Sequence, residues 1–254
     1  MCARFALTQI PREVAALFGL VDFEVPFPPR YNIAPTQPIL VVRRAPARDP
    51  GSNLPEREAV LVRWGLLPSW LKDMKGFPLL INARAETAAE KNAFRAALRH
   101  RRVLVPASGF YEWKREGRAK PKPYWIRPRD GSMVAFGGLM ETWLEPGGSE
   151  IDTAAILTTG PSAPVSAIHD RMPVVIREED WQRWLDCVAN EPRDVTDAMR
   201  PVEDGFFEAV PVSTEVNKVG TAGAQLQEPV GAPLETETQP EPEAEPLPAQ
   251  MRLI

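Results

Sequence analysis

The run Val103-Leu104-Val105-Pro106-Ala107-Ser108-Gly109-Phe110-Tyr111-Glu112-Trp113-Lys114 carries two strand signals in succession. Val103–Pro106 is a short apolar run rich in β-branched residues. Gly109–Lys114 alternates, so Phe110 and Glu112 share one face of a strand while Tyr111 and Trp113 share the other. Outward from this run the same texture recurs at Ile39–Arg43, Val60–Leu66, Tyr124–Arg127, Val134–Leu139, Ile151–Thr158, Val174–Ile176 and Phe206–Pro211. Helical signals are fewer. Pro11–Phe18 has Pro at its start and Gly19 just past its end. Thr87 and Glu90 have capping-box spacing and open a predicted helix over Ala88–His100, with Phe94, Ala97 and Leu98 on one face. Glu178–Cys187 places Trp181, Trp184 and Leu185 together, and Arg193–Met199 is a further short candidate. Short helices among many strands predict an α+β fold on a mixed or antiparallel sheet.

The 254 residues suffice for a sizeable core, and 28 prolines argue against long uninterrupted helices. No stretch reaches the roughly 18 apolar residues of a membrane span, and no basic-then-apolar leader opens the chain. Two cysteines and two histidines make neither a disulfide scaffold nor a convincing metal set. No Gly-rich phosphate loop or dinucleotide fingerprint follows a strand, so no cofactor is expected. The net charge of −4 conceals a segregation: residues 1–130 hold 23 Lys+Arg against 12 Asp+Glu, and residues 131–230 hold 6 against 17. A basic half is the footprint of a polyanion partner, or else the two halves neutralise each other on packing. Residues 231–254 are rich in Pro and Glu without aromatics and read as a disordered acidic tail. Ala45–Glu58 reads as a surface loop.

Four residues could carry chemistry. With Met1 removed, Cys2 presents an α-amine of pKa about 7.7–8.0 beside a thiol, and the pair suits an aldehyde. The amine forms a Schiff base and the thiol closes a thiazolidine ring; otherwise Cys2 is a chance core residue. Asn82 ends an apolar run, where its carboxamide either orients an amine or carbonyl or simply closes a turn. Glu112 lies among aromatics, at a sheet edge or in a desolvated pocket that suits acid–base work. His169, flanked by Asp170 and Arg171, is either a tuned titrating group or a structural histidine. Trp64, Trp70 and Trp113 with the Arg95–Lys122 basic clusters fit single-stranded nucleic acid, which is held by phosphate-tracking cations and aromatic platforms.

Six motifs in order carry a resemblance: Met1-Cys2-Ala3-Arg4-Phe5, Tyr31-Asn32-Ile33-Ala34-Pro35-Thr36, Trp64-Gly65-Leu66-Leu67-Pro68-Ser69-Trp70, Asn82-Ala83-Arg84-Ala85-Glu86-Thr87, Gly109-Phe110-Tyr111-Glu112-Trp113 and Ile168-His169-Asp170-Arg171-Met172-Pro173. From Cys2 to about Val230 the chain is similar to SRAP (SOS-response-associated peptidase) proteins, the abasic-site processing family. Two departures stand out. Ala3 replaces the usual Gly, and Lys218–Gly223 lacks the usual Asn-bearing continuation, so no role is assigned to that loop.

The resemblance implies a single SRAP-like domain over 1–230, built on a barrel-like sheet, followed by the tail over 231–254. It implies a protein that binds single-stranded DNA at abasic sites and shields them as a covalent crosslink. Cys2 would be the nucleophile after self-removal of Met1, Asn82 would position the amine and sugar, and Glu112 would be the acid–base group. His169 would assist ring opening and proton transfer. Arg4, Arg84 and Arg171 would hold phosphates, with Pro35, Trp70 and Trp113 near the DNA path. Schiff-base formation at C1′ acidifies C2′–H, which opens a route to lyase chemistry. A cytoplasmic monomer that joins the nucleoid on binding DNA, without membrane or metal, completes the expectation. A cysteine peptidase of N-terminal-nucleophile type and a non-covalent single-strand binder are the competing readings.

Overall fold

The computed structural model describes residues 2–20, 27–46 and 56–235. The loop expected over Ala45–Glu58 and the tail expected over 231–254 lie mostly outside the described residues.

In chain order the strands are β1 (Phe5–Leu7), β2 (Arg30–Ile33), β3 (Pro38–Arg44), β4 (Arg57–Trp64), β5 (Asn82–Arg84), β6 (Arg102–Ala107), β7 (Gly109–Lys114), β8 (Lys122–Pro128), β9 (Val134–Leu144), β10 (Glu150–Thr159), β11 (Met172–Pro173) and β12 (Phe207–Pro211). Three α-helices join them: α1 (Pro11–Phe18), α2 (Arg95–His100) and α3 (Trp181–Leu185). The first sheet is antiparallel in the order β12-β8-β7-β1-β2. In the second, β10 pairs parallel with β4, and β4, β3, β6 and β9 follow antiparallel until β9 pairs with β10 again. The hydrogen bonding thus returns on itself, with β5 and β11 attached to β10. This is the expected α+β fold, with few and short helices.

The alternation in β7 decides how the sheets meet. Phe110 joins the main core, where it packs edge-on to Phe136 at 6.1 Å, while Tyr111 turns to a smaller cluster with Trp125, Val212, Val216 and Leu226. Phe5 bridges the sheets edge-on to Trp64 at 5.2 Å and Phe136 at 6.4 Å. Each large apolar side chain so buried contributes roughly 1.5–3 kcal/mol. Gly109 opens β7 where it crosses β8: a Cβ there would stand 2.3 Å from Ile126 O and 2.8 Å from the Trp125 ring. Only glycine lets the strands approach this closely.

Several expected elements differ. The helix predicted over Ala88–His100 shrinks to α2. Glu90 N and Lys91 N both donate to Thr87 O at 3.1 Å, closing a turn that sinks Ala88 into the core instead of opening a helix. Arg193–Met199 resolves into two 3-10 turns, Pro192–Val195 and Asp197–Met199. Val174–Ile176 is not a strand of its own. It stitches two strands, with Val174 N donating to Leu157 O and Val174 O accepting from Gly137 N, both at 2.9 Å. Past β12 the chain runs back along its edge, where Val230 N donates to Pro211 O and Leu234 N to Ala209 O. No helix among the described residues is long and apolar enough to cross a membrane.

Candidate active site

The antiparallel register sets Phe5 opposite Phe110, and it continues past the strand, since Tyr111 N donates to Arg4 O at 2.9 Å. The chain start is therefore carried back along β7 toward Glu112. On the other side, parallel pairing with β10 holds Asn82 opposite Ile156. Asn82 Nδ2 donates to Cys2 O at 2.8 Å, and Asn82 Oδ1 is buried with no hydrogen-bond partner.

Cys2 is fully buried. By exposure alone it is a core residue, and its neighbours are what set it apart. Burial and the nearby Glu112 charge both push its thiol up, so the sulfur stays protonated near neutral pH. Glu112 is 3 % exposed, which settles its place as the pocket rather than the sheet edge. Burial raises its carboxyl above the usual carboxylate range, with His169 among the opposing influences. Glu112 and His169 line one cavity of about 700 Å³ together with Trp113, Arg115, Lys120, Thr214, Asn217 and Lys218.

His169 Nδ1 accepts from Arg171 N at 3.0 Å and lies 2.8 Å from Asp170 Oδ1. A neutral ring that accepts at Nδ1 carries its proton on Nε2. A protonated ring instead donates from Nδ1 to Asp170, so each protonation state has a partner. Arg171 forms a bidentate pair with Glu86, both contacts at 2.8 Å, and donates to Thr158 O at 2.5 Å. Its Nε is buried and unpartnered.

The remaining expected residues divide. Trp70, Asn82 and Arg84 come together in a groove of about 670 Å³ that also takes in Phe77, Lys91 and Phe94. Trp70 is 57 % exposed and packs edge-on to Phe77 at 6.1 Å. Arg4 is engaged by the protein: Nη1 donates to Asn32 Oδ1 (2.8 Å) and Val216 O (2.7 Å), Nη2 donates to Asn217 O (3.3 Å), and the guanidinium lies 6.0 Å from the Trp113 ring. Trp113 Nε1 donates to Asn217 Oδ1 at 2.7 Å. Pro35 sits in the turn from β2 to β3, where Thr36 adopts a left-handed φ of 71° and donates from its N to Trp64 O at 2.8 Å. Pro35 lines neither cavity.

Three residues that the sequence reading left without a role shape the site. Asn32, buried, donates through Nδ2 to Lys218 O and Thr221 O, both at 3.1 Å, and so anchors the loop that borders the cavity. Asn217 fixes the Trp113 indole, and Glu86 ties down Arg171. Asn32 and Glu86 stand inside the quoted motifs, which was the available signal. Among the described residues no group of three or more His, Cys, Asp or Glu gathers as a metal site.

A family model described as SOS response associated peptidase (SRAP) matches residues 1–219. The chain is 36% identical to Abasic site processing protein YoqW of Bacillus subtilis (strain 168) over 230 residues, covering 90% of this chain and 99% of that one. It is 32% identical to Abasic site processing protein YedK of Escherichia coli (strain K12), covering 91% and 100%. Abasic site processing protein HMCES of Gallus gallus is 33% identical, with 75% of this chain and 63% of that one covered. The fold matches a crystal structure of a protein from Bacteroides thetaiotaomicron with a TM-score of 0.77 at 22% identity, covering 90% and 99%.

Proposed function

The chain belongs to the SOS response associated peptidase (SRAP) family, and from that premise we propose that it processes abasic sites in single-stranded DNA by capturing the opened sugar on Cys2. The reading is carried by the 2.8 Å hydrogen bond from Asn82 Nδ2 to Cys2 O, beside a buried Glu112. That bond fixes the backbone of the second residue, and hence the place its amine takes once Met1 is gone. Effective concentration then does much of the catalytic work.

Hydrolysis of the Met1–Cys2 peptide comes first. Water supplies hydroxide to the Met1 carbonyl and a proton to the Cys2 amine, with Glu112 relaying the proton. The amine then attacks C1′ of the ring-opened sugar, and loss of water leaves an imine. Sγ adds to the imine carbon while the thiol proton passes to nitrogen, which closes the thiazolidine. The capture releases one water, formed in the imine step. Burial pushes the thiol up, which favours the amine as the first nucleophile. Glu112, with its raised carboxyl, is suited to take the thiol proton and return it to nitrogen. As the C1′–O4′ bond breaks, His169 Nε2–H donates to the ring oxygen and the C1′ hydroxyl gives its proton to water, from which the imidazole regains one. Imine formation at C1′ also acidifies C2′–H, so strand scission is a slower side reaction.

Incubation with a single-stranded oligonucleotide carrying one abasic site is expected to give a band that resists denaturation. Cys2→Ala, or extra residues ahead of Cys2, removes it. Peptide cleavage without such a band would overturn the proposal in favour of a peptidase, and a salt-sensitive complex indifferent to the lesion would favour a simple binder.

A further inference from the structure

Packing neutralises only part of the charge segregation between the two halves of the chain. Where the halves meet, cations of the first find acids of the second: Arg44 pairs with Asp186, Arg99 with Glu191 (3.0 Å), Arg101 with Glu141 (3.5 Å) and Arg127 with Glu208 (2.7 Å). The hairpin from β7 to β8 is left out of that exchange. Its single acid, Glu116, pairs with Lys114 at 3.5 Å and Lys122 at 3.0 Å, the cations at the strand ends. Arg115, Arg118 and Lys120 are exposed and form no ion pair with a described residue, and the same holds for Lys218. Arg115, Lys120 and Lys218 border the cavity that contains Glu112.

A surplus of the opposite sign lies in residues 231–254, where Glu235, Glu237, Glu241, Glu243 and Glu245 face Arg252 alone. The place where this segment starts is fixed. Pro229 bridges to Val212, and Val230 N donates to Pro211 O and Leu234 N to Ala209 O, both at 2.9 Å, so the chain lies along the outer edge of β12. Leu234 also packs on the main core. Ala209 stands opposite Ile126 of β8, and β8 begins at Lys122, where the hairpin closes. Those four residues of strand span roughly 14 Å. From Leu234 the chain must double back to reach the hairpin, and the seven residues to Glu241 span as much as about 22 Å when extended. The carboxylates can therefore stand beside the hairpin cations with no change in the sheet.

Resting on the proposed reading of Cys2 as the capture residue, we infer that the acidic segment Glu235–Glu245 docks on Arg115, Arg118, Lys120 and Lys218 of its own chain, beside the Glu112 cavity, and acts as a built-in competitor of polyanions. A contact between exposed charges is weak by itself. Tethering strengthens it: at an effective concentration of several mM, a segment with a free Kd of about 1 mM occupies its surface most of the time. Access of a polyanion to Cys2 is lowered by that same ratio, about three- to tenfold at low salt. The block fades as salt screens the charges. A weakly charged ligand is thus turned away, while a long polyanion displaces the segment.

The test is the full chain carrying Glu237→Gln, Glu241→Gln, Glu243→Gln and Glu245→Gln, with the four matching Glu→Asp changes as the charge-preserving control. In ¹H–¹⁵N spectra at low salt, the backbone amides of Arg115, Arg118, Lys120 and Lys218 are expected to shift in the Gln variant and to stay in place in the Asp variant. Raising salt is expected to carry the wild-type signals to the Gln positions. Crosslinking to an abasic single strand is expected to quicken about three- to tenfold in the Gln variant at low salt, and to match wild type near about 0.5 M. Hairpin amides that ignore the Gln changes, or shifts on another face instead, would overturn the inference. So would a wild-type rate that falls as protein concentration rises, which puts the segment on a second copy. The spectra need no DNA, so the two readings fail separately. Hairpin shifts without crosslinking sink only the capture reading, and crosslinking without hairpin shifts sinks only the docking.

Discussion

The chain has two cysteines and two histidines, and one of each lies toward either end of β10. Near Asp152, a cavity gathers Cys187, His100 and Arg102. Near Thr158 stand His169 and Arg171, with Cys2 beyond Asn82. The residue types are the same and the states are opposite. Arg102 is 2 % exposed and spends every part of its guanidinium: Nε on Trp184 O (2.6 Å), Nη1 on Leu98 O (2.9 Å), and Nη2 on Asn190 O (2.9 Å) and Asp186 O (3.3 Å). Arg171 leaves its Nε unused, and Asn82 leaves its Oδ1 unused. A buried polar group with all its partners fixes architecture; one with a vacancy costs stability that a ligand can return. The same chemistry serves as a rivet at one end and, under the proposed function, as a receptor at the other.

Arg102→Ala tests the rivet and carries the largest expected effect. Four carbonyls lose a charged donor, which is expected to lower unfolding free energy by about 4 kcal/mol in urea titration. Crosslinking per folded molecule is expected to stay at the wild-type level. A variant that folds normally yet loses crosslinking would erase the distinction between the ends. Asn82→Ala is the mirror image. It removes one hydrogen bond worth about 1 kcal/mol to the fold, yet it frees the backbone that under the proposed function presents the amine, so crosslinking is expected to slow about 10²-fold. A stability loss as large as that of Arg102→Ala, with an unchanged rate, would make Asn82 a second rivet.

The receptor end was the more legible in the sequence. Cys2, Asn82, Glu112 and His169 each sit in a short ordered motif, and the period-2 reading of Gly109–Lys114 put Glu112 on one face with Phe110, both of which are buried. What stayed hidden there was which partners these groups would find. Asn32 lies 186 residues from Lys218, and Glu86 lies 85 from Arg171, separations that no local pattern reports. The rivet was misread: Arg102 falls in the basic clusters expected to track phosphates, but it is buried and bound by main-chain carbonyls, which any residue supplies and no motif announces. Length explains the missed strands: β1 and β5 span 3 residues each, β2 spans 4 and β11 spans 2, too few for alternation to register. The shortened α2 has another cause. Its capping-box spacing was real but was used for a turn.

Glu112 sharpens the comparison through pH. Burial raises its carboxyl, so the folded protein retains a proton that the unfolded chain releases near pH 4.3. Between that value and the raised one the folded state binds more protons, and stability therefore falls as pH rises through the window. Glu112→Gln has no such proton to release. Its urea midpoint is expected to overtake that of wild type as pH climbs above about 4, and to converge with it below. Parallel curves would mean that the receptor end stores no such cost.

The smallest expected effect concerns how the vacancy is maintained. Glu86 is half exposed, and its bidentate grip on Arg171 is worth about 0.5–1 kcal/mol in that setting. That grip does more than hold one side chain, since the Arg171 backbone N–H supplies the partner of His169 Nδ1. Loosening it lets the ring exchange Arg171 N–H for Asp170 and move its proton away from Nε2. Glu86→Gln is therefore expected to slow crosslinking only about two- to fivefold. Over the same change, the ¹⁵N shifts of His169 are expected to move from one tautomer toward a mixture. A rate loss without that spectral change would assign Glu86 to packing alone, and Arg171 would then resemble Arg102 more closely than its empty Nε implies.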